Sequence, residues 1–191
     1  MSMQIVNILD LISAIGEEAV QELLSDFSCP KNPEVEGFVR NNAIGFSKQK
    51  MSVTHCVMDE GRLVAIFALT HKAVEVAQSS LSSTARKKIE RFARVDESSG
   101  FYHVSAFLIA QFGKNYSEDA SALSGNTLMQ SAIDVLKKVQ HDVGGGIVYL
   151  ECEDNAKLLQ FYTNDTNCYR QFGERFANAE NVKYIQLLRF F

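Results

Sequence analysis

Proline is scarce in this chain, with only Pro30 and Pro33 among 191 residues. Low-complexity tracts and internal repeats are lacking as well, so nothing in the sequence indicates a linker between domains. No apolar run is as long as a membrane span. The stretch 1–20 lacks the basic segment of a signal peptide and carries three acidic residues, which predicts an amphipathic helix. We therefore expect a single domain over residues 1–191, a cytoplasmic location and no membrane partner.

Cysteine and histidine are few and scattered. The four cysteines are Cys29, Cys56, Cys152 and Cys168, and none belongs to a CxxC pair or has a histidine at metal-finger spacing. We therefore expect no metal site and no disulfide framework. The net charge is only −4, with 22% charged residues, which disfavours non-specific nucleic-acid binding and intrinsic disorder. Hydrophobic residues make up 46% of the chain, enough for a substantial core.

The hydrophobic pattern predicts helices and strands that alternate along the chain. Helices are expected over 17–25, 34–48, 85–94 and 126–140, and strands over 51–58, 63–76, 101–112, 147–150, 168–172 and 183–191. The strand–helix–strand succession in the second half implies parallel pairing through right-handed crossovers. The sequence therefore predicts an α/β fold with a mixed, twisted central sheet flanked by helices.

The segment Ile147–Gly173 is the most informative part of the chain. It begins with a short strand and an acidic turn, in which Asp154 or Asn155 is expected to cap the following helix. Tyr162 would leave this helix near the mouth of a cleft, where a phenol can donate a proton. We therefore interpret Tyr162 as a candidate catalytic residue. The alternative is that it only packs beside Phe161 in a core.

A second candidate site lies where the strand 101–112 ends and the helix 126–140 begins. The strand end carries Gln111, Phe112 and Gly113, and the helix start carries Ser124, Gly125, Asn126, Thr127 and Leu128. A helix N-terminus presents unpaired N–H groups and the positive end of a dipole to an anion. A glycine there lets a phosphate approach the backbone closely. The alternative is that Ser124 is an ordinary helix cap.

These features resemble the GNAT superfamily of N-acetyltransferases. The C-terminal half is similar to the family through Asn155, Ala156, Phe161, Tyr162, Phe172 and Gly173, and the order of elements also matches. The front half is similar to toxin-like members through Phe27, Cys29, Phe38, Val39 and Ala43, which precede the apolar strand 61–69. Three features depart from the family pattern. The stretch Thr163–Asn167 stands where the family has a small residue, Ala122 stands where the phosphate-binding signature has Gln or Arg, and Thr127 stands where that signature ends in a small residue. The Thr127 hydroxyl would donate to a phosphate oxygen and partly replace the lost backbone contact.

The resemblance implies the GNAT fold and acetyl-CoA (coenzyme A) as co-substrate. In that arrangement, Gln111–Gly113 would hydrogen-bond the pantetheine arm, Ser124–Leu128 would bind the pyrophosphate, and Asn155 would meet the arm from its other side. The strands that carry Gln111 and Leu150 would splay to admit the arm. A primary amine would attack the thioester directly, and Tyr162 would protonate the departing thiolate.

Several alternatives stay open at this point. Glu75 and His103 are candidates for the general base, although a solvated side chain is the favoured interpretation of each. The basic stretch 86–94 is either a solvated helix face or a contact for an anion, such as the adenosine phosphate of the coenzyme or an RNA. Some toxin-like members acetylate aminoacyl-tRNA, but the net charge disfavours that acceptor. The second functional hypothesis is a catalytically silent module that binds acyl-CoA or a protein. Under either hypothesis the chain is expected to be a monomer or a homodimer.

Overall fold

The computed structural model describes residues 3–117, 123–177 and 181–191. The helices are α1 (Ile8–Ile15), α2 (Glu17–Ser25), α3 (Pro33–Asn41), α4 (Ala43–Lys48), α5 (Ser83–Ile89), α6 (Gly125–Val143) and α7 (Ala156–Thr163). The strands are β1 (Gln4–Asn7), β2 (Val53–Asp59), β3 (Arg62–Ala77), β4 (Val95–Asp96), β5 (Phe101–Lys114), β6 (Ile147–Glu153), β7 (Arg170–Ala177) and β8 (Val182–Phe190). The loop position Ala122 lies outside the described residues.

The strands are hydrogen-bonded in the order β1-β2-β3-β5-β6-β8-β7, and β4 pairs with β5. Strands β5 and β6 are parallel, whereas β1–β2, β2–β3, β4–β5, β6–β8 and β7–β8 are antiparallel pairs. The predicted α/β fold with a mixed sheet is therefore confirmed. Strand β8 lies between β6 and β7, so the unit β6-α7-β7 contains no direct parallel pair.

By its contacts the chain divides into two compact units. The first comprises Met1–Thr70 and Ile109–Ala132, and the second comprises His71–Leu108 and Ile133–Phe191. The single domain expected over residues 1–191 stays a prediction. Within the described residues, none of the helices has both the length and the apolar character needed to cross a membrane.

In the first unit, the N-terminal helices bury their apolar faces in one cluster that also includes side chains of β2 and β3. Its members include Ile8, Leu24, Val39, Cys56 and Ile66. Asparagine side chains define where two of these helices begin. Asn7 Oδ1 accepts a hydrogen bond from Leu9 N at 2.9 Å, and Asn32 Oδ1 accepts one from Val35 N at 3.2 Å.

Two expectations for this unit are wrong. The stretch 1–20 is not one amphipathic helix, because Gln4–Asn7 form strand β1, which pairs with β2 from Gln4↔Met58 to Asn7↔His55. The helix expected over 34–48 is two helices, because the backbone of Asn42 leaves the helical region at φ −122°. An asparagine side chain can hydrogen-bond to nearby backbone groups in non-helical conformations, which favours a break in the helix at this position.

In the second unit, the apolar faces of α5 and of strands β3, β5, β6, β7 and β8 contribute to one cluster. Helix α5 begins at Ser83 and ends at Ile89, earlier at both ends than the expected 85–94, because Ser82 caps it through a bond from Ala85 N. Strand β7 was expected over 168–172. It begins at Arg170 and continues to Ala177, because pairing with β8 extends through Ala177↔Val182.

The parallel ladder between β5 and β6 is very short. It consists of the pairs Phe107↔Val148 and Leu108↔Tyr149. Strand β5 continues to Lys114, and β6 continues to Glu153, where its residues pair with β8. Among the described residues, the register between β5 and β6 therefore stops well before either strand ends.

Candidate functional site

The end of β5, in the first unit, is fixed by the buried side chain of Asn115. Its Oδ1 accepts hydrogen bonds from Ser28 N at 2.8 Å and from Ser117 N and Oγ at 3.1 and 2.8 Å. Its Nδ2 donates to Leu63 O at 2.8 Å, and its backbone N donates to Val64 O at 2.8 Å. Asn115 thus joins three segments of the chain, a role that the sequence pattern does not reveal.

Gly113 is a glycine because the first unit packs tightly against it. A Cβ built there would lie 2.9 Å from Val35 Cγ1 and 3.5 Å from Cys29 Sγ. Val35 belongs to α3 and is buried, so it cannot move away easily. The predicted contact of Gly113 with a pantetheine arm would therefore come from its backbone. The neighbouring Gln111 and Phe112 are partly buried.

The start of α6 is capped by Ser124. Its Oγ accepts a hydrogen bond from Thr127 N at 3.0 Å and lies 2.8 Å from Thr127 Oγ1. Lys114 Nζ donates to Leu123 O at 2.9 Å, which joins this turn to the end of β5 within the first unit. Leu128 is fully buried, so only its backbone could reach a ligand. The helix is 19 residues long and begins at Gly125, which gives this N-terminus a full macrodipole.

A cleft of about 380 Å³ also lies in the first unit. Its lining comes from α3, α4, the residues before β2, and strands β3 and β5: Glu34, Phe38, Asn42, Phe46, Met51, Ser52, Thr70, Ala110 and Gln111. Gln111, predicted to contact the pantetheine arm, is thus part of the cleft. The volume is within the range of small-molecule sites. The sequence does not predict this cleft, because its lining residues come from five separate segments.

In the second unit, Asn155 is the N-cap of α7. It is one of the two residues, with Asp154, that the sequence offered as the cap of this helix. Its Oδ1 accepts hydrogen bonds from Lys157 N at 2.9 Å and Leu158 N at 3.4 Å. Asp154 instead pairs with Lys183, with 3.3 Å between Oδ2 and Nζ. Because Asn155 Oδ1 is engaged in the helix cap, the predicted contact of Asn155 with the pantetheine arm would have to come from its side-chain Nδ2.

Tyr162 is buried at the end of α7, with its ring held between two aromatic side chains. The ring centroids of Phe161 and Tyr169 lie 4.9 and 5.9 Å from that of Tyr162, both in edge-to-face geometry. Among the described residues, none forms a hydrogen bond with its hydroxyl. Burial, with a smaller contribution from Cys152, raises the pKa of the Tyr162 phenol. Tyr162 therefore stays protonated near neutral pH, which a proton donor requires.

The stretch Thr163–Asn167, where the chain departs from the GNAT pattern, forms an ordered turn. Asn164 Oδ1 accepts hydrogen bonds from Thr166 N at 3.0 Å and Asn167 N at 2.8 Å. Asn167 Nδ2 donates to Phe161 O at 2.7 Å, and Tyr169 N donates to Tyr162 O at 3.0 Å. The turn thereby places the next aromatic residue, Tyr169, against the candidate catalytic ring.

A polar network in the second unit surrounds Glu151. Arg175 Nη2 donates to Glu151 Oε2 at 2.7 Å, Gln186 Nε2 donates to Glu151 Oε1 at 3.1 Å, and the Tyr149 hydroxyl also donates to that carboxylate. Burial alone would raise the pKa of Glu151, but these hydrogen bonds outweigh it and lower the pKa to about 2. A carboxylate with so low a pKa is a poor proton acceptor, so we assign Glu151 a structural role.

The other ionisable candidates lie on exposed surfaces. Glu75 and His103 face each other with 3.5 Å between Oε1 and Nδ1, at 70% and 57% side-chain exposure. In the basic stretch 86–94, the Arg86 guanidinium donates to Leu81 O, and Lys88 lies over the Phe190 ring. Within the described ranges, no group of three or more His, Cys, Asp or Glu side chains could hold a metal ion.

Comparisons with known proteins give matches to solved structures alone. No protein-family model matches the chain, and no curated protein matches it. AtaT complexed with acetyl-methionyl-tRNAfMet matches with a TM-score of 0.65 at 14% identity, over 96% of this chain and 94% of that chain. A Tyr-to-Phe mutant of KacT matches with a TM-score of 0.64 at 15% identity, over 97% and 95% of the two chains. AtaTR bound with AcCoA matches with a TM-score of 0.60 at 15% identity, over 96% and 93%.

At these identities the likeness establishes the fold. The chain has the GNAT fold, as its sequence predicted.

Proposed function

We propose that this chain is an N-acetyltransferase that moves an acetyl group from acetyl-CoA to a primary amine. The observation that carries this proposal is the early end of the β5–β6 ladder after Leu108↔Tyr149. Backbone groups of β5 beyond this pair would then bind the pantetheine arm through Gln111–Gly113. The fold shared with AtaT, whose structures include complexes with AcCoA and with acetyl-methionyl-tRNAfMet, supports the same activity.

Each of the candidate site residues has its own role in the proposed reaction. The N–H groups at the start of α6, Ser124–Leu128, bind the pyrophosphate, and Asn155 contacts the pantetheine arm. A backbone N–H near Gln111 polarises the thioester carbonyl. The neutral amine attacks the carbonyl carbon, so that a C–N bond forms as the C–S bond breaks. The nitrogen loses its proton to solvent, the sulfur takes the proton of Tyr162, and solvent then reprotonates Tyr162.

The second functional candidate is a catalytically silent module that binds acyl-CoA or a protein. The observation in its favour is the cap at the start of α6, where the Thr127 hydroxyl is already engaged with Ser124. Thr127 was predicted to replace a lost phosphate contact, and this engagement reduces its capacity to do so. Acetyl-CoA binding without transfer to any amine would favour this candidate.

Whether a macromolecule such as a tRNA carries the acceptor amine is a separate question. AtaT has a structure complexed with acetyl-methionyl-tRNAfMet, and the basic stretch of this chain, with Lys87, Arg91 and Arg94 exposed, would suit an RNA backbone. We keep aminoacyl-tRNA as a less favoured acceptor, because the net charge of −4 opposes long-range attraction of RNA.

The test of coenzyme binding is thermal unfolding with and without acetyl-CoA. A ligand that binds only the folded chain raises the melting temperature by mass action. The variant Gly125→Glu places a carboxylate where the pyrophosphate would bind and should abolish the shift. The control is Gly45→Glu, at a glycine of α4 with no neighbour within 4 Å of a built Cβ. It should keep the shift. Absence of any shift in the parent chain at millimolar acetyl-CoA would refute the proposal.

A further inference from the structure

Strand β7 contains one extra residue where it pairs with β8. The pairing passes from Gln171↔Leu187 directly to Gly173↔Gln186, so Phe172 forms a β-bulge. The Phe172 side chain is buried in the core of the second unit. One extra residue turns every later side chain of the strand to the opposite face of the sheet. The faces that β7 presents beyond Phe172 therefore depend on where the bulge lies.

The bulge lies shortly after the residue that packs against the candidate catalytic tyrosine. Tyr169 N donates to Tyr162 O at 3.0 Å, and the next residue begins the pairing of β7 as Arg170↔Leu188. The register of this first part of β7 therefore determines where Tyr169 lies. A shift by one residue would withdraw the Tyr169 ring from its edge-to-face contact with Tyr162.

Charged side chains on the two faces of β7 fit only the register that the bulge creates. On one face, Arg175 Nη2 donates to Glu151 Oε2 at 2.7 Å. On the other face, Glu174 Oε2 lies 2.7 Å from Lys183 Nζ. In a β7 without the bulge, Glu174 would point to the face of Glu151, and Arg175 would point to the other. Like charges would then replace both ion pairs, and like charges that face each other destabilise a sheet.

Gly173 provides a steric reason for the same register. It pairs with Gln186, and a Cβ built at Gly173 would lie 2.6 Å from Gln186 Oε1. The Gln186 amide is held in this position, because its Nε2 donates to the Tyr149 hydroxyl at 3.0 Å and to Glu151 Oε1 at 3.1 Å. Without the bulge, Phe172 would lie opposite Gln186, and its Cβ would displace this amide.

We infer that the ion pairs of β7 hold the bulge at Phe172 and thereby position Tyr162 for proton donation. Arg175 and Glu174 are then positioning residues, which act through Tyr169 and touch no substrate. An ion pair suits this task, because a partly buried charge without its partner penalises the wrong register more than the pair stabilises the correct one. The inference rests on the proposed function and adds the part of the sheet that orients its proton donor.

The experiment reverses one charge and then restores the pair, using the full chain. The assay is thiol release from acetyl-CoA, with the fastest acceptor from a panel of primary amines that includes aminoacyl-tRNA. Arg175→Glu should lower kcat about tenfold or more and change the KM for acetyl-CoA less than about twofold, because no coenzyme-binding residue is altered. The swapped pair, Glu151→Arg with Arg175→Glu, should regain kcat to within about threefold of the parent chain.

Two further variants complete the set. Glu174→Lys reverses an exposed charge on the other face of β7 and should lower kcat about threefold, since an exposed pair contributes less. The control is Lys48→Glu, which reverses a charge in the exposed pair of Lys48 with Glu17 in the first unit. It should leave kcat unchanged.

A double-mutant cycle distinguishes positioning from a general structural role. In a Tyr162→Phe background, Arg175→Glu should lower kcat by less than about twofold, because the proton donor through which Arg175 acts is already absent. A loss of folded protein would lower kcat equally in both backgrounds. Amide hydrogen exchange at Tyr169 N gives a readout that needs no catalysis. It should become faster in Arg175→Glu and return to the parent rate in the swapped pair.

The outcomes separate this inference from the proposed function. Equal losses of kcat in the two backgrounds, unchanged exchange at Tyr169 in Arg175→Glu, or no recovery in the swapped pair would each overturn the inference and leave the transferase proposal standing. A parent chain that neither binds acetyl-CoA nor releases thiol would overturn the transferase proposal and the positioning role with it.

Discussion

The ring of Tyr162 packs edge to face against that of Tyr169, with 5.9 Å between centroids, and Tyr169 N donates to Tyr162 O. This contact fixes the end of α7, where the phenol leaves the helix, and the cap at Asn155 fixes the start of the same helix. Edge-to-face packing holds an aromatic ring in one orientation without using its polar atom. The structure therefore orients the Tyr162 hydroxyl and leaves it available to donate.

We expect Tyr162→Phe to lower turnover by about 10²- to 10⁴-fold, the usual contribution of a positioned proton donor. Acetyl-CoA binding should be retained, because the ring and its packing are unchanged. Steady-state kinetics and a thermal shift with acetyl-CoA measure the two effects separately.

The control is Tyr102→Phe, at another buried tyrosine. The Tyr102 hydroxyl donates to Glu90 Oε1 at 3.1 Å, so its loss should cost about 1 kcal/mol of unfolding free energy. Turnover of this variant should be unchanged. Equal turnover in Tyr162→Phe and the parent chain would remove Tyr162 from the mechanism.

The Glu151 network predicts a specific sensitivity to acid. Its hydrogen bonds lower the pKa of Glu151 to about 2 in the folded chain, below the ordinary value of 4.5. These hydrogen bonds to the ionised Glu151 therefore stabilise the folded chain fully at pH values above the ordinary pKa of the carboxyl group. Their contribution is lost as the pH falls toward the pKa that Glu151 has in the folded chain. At neutral pH it is worth about 3 kcal/mol.

Denaturant unfolding at several pH values between 6 and 2.5 tests this linkage. Glu151→Gln should be less stable than the parent chain at pH 6 and should lose less stability on acidification. Glu153→Gln, at an exposed position of the same strand, is the matched control and should follow the parent chain. Parallel pH curves for Glu151→Gln and the parent chain would contradict the assignment.

Local signals in the sequence predicted the segments that carry the candidate site. The apolar run at Ile147 and the cap at Asn155 each depend on near neighbours, which a single sequence shows directly. Strand β1 was not predicted, because its partner β2 is distant in sequence and its apolar residues continue the pattern of α1. The cleft and the Asn115 junction depend on separate segments, and a linear pattern contains no information on which segments meet.

Asn115 should be among the most sensitive polar positions of the first unit. Asn115→Ala removes hydrogen bonds to Ser28, Leu63 and Ser117 and leaves buried backbone groups unsatisfied. We expect a loss of about 2–4 kcal/mol of unfolding free energy, since each such group costs about 1–3 kcal/mol. Asn41→Ala, which loses an exposed bond to Gly37 O, should cost less than about 1 kcal/mol. Similar midpoints for both variants in urea would show that the junction is dispensable.

Gly113 offers a test of whether packing or ligand contact requires a glycine at the end of β5. Gly113→Ala should cost about 1–3 kcal/mol, because the added methyl would lie 2.9 Å from Val35 Cγ1. Val35→Ala alone should cost about 1–2.5 kcal/mol, as a buried large-to-small change. In the double variant the space left at position 35 accommodates the new methyl, so its cost should be well below the sum of the two single costs.

Denaturant unfolding of the single and double variants measures this coupling, and acetyl-CoA thermal shifts in the same proteins give the functional consequence. If the packing against Val35 is what requires glycine, the double variant should regain the acetyl-CoA shift that Gly113→Ala weakens. If the methyl instead obstructs the pantetheine arm, the double variant should regain stability but not the shift. Additive stability costs would contradict the packing explanation, since they would show that the two positions do not share the strained contact.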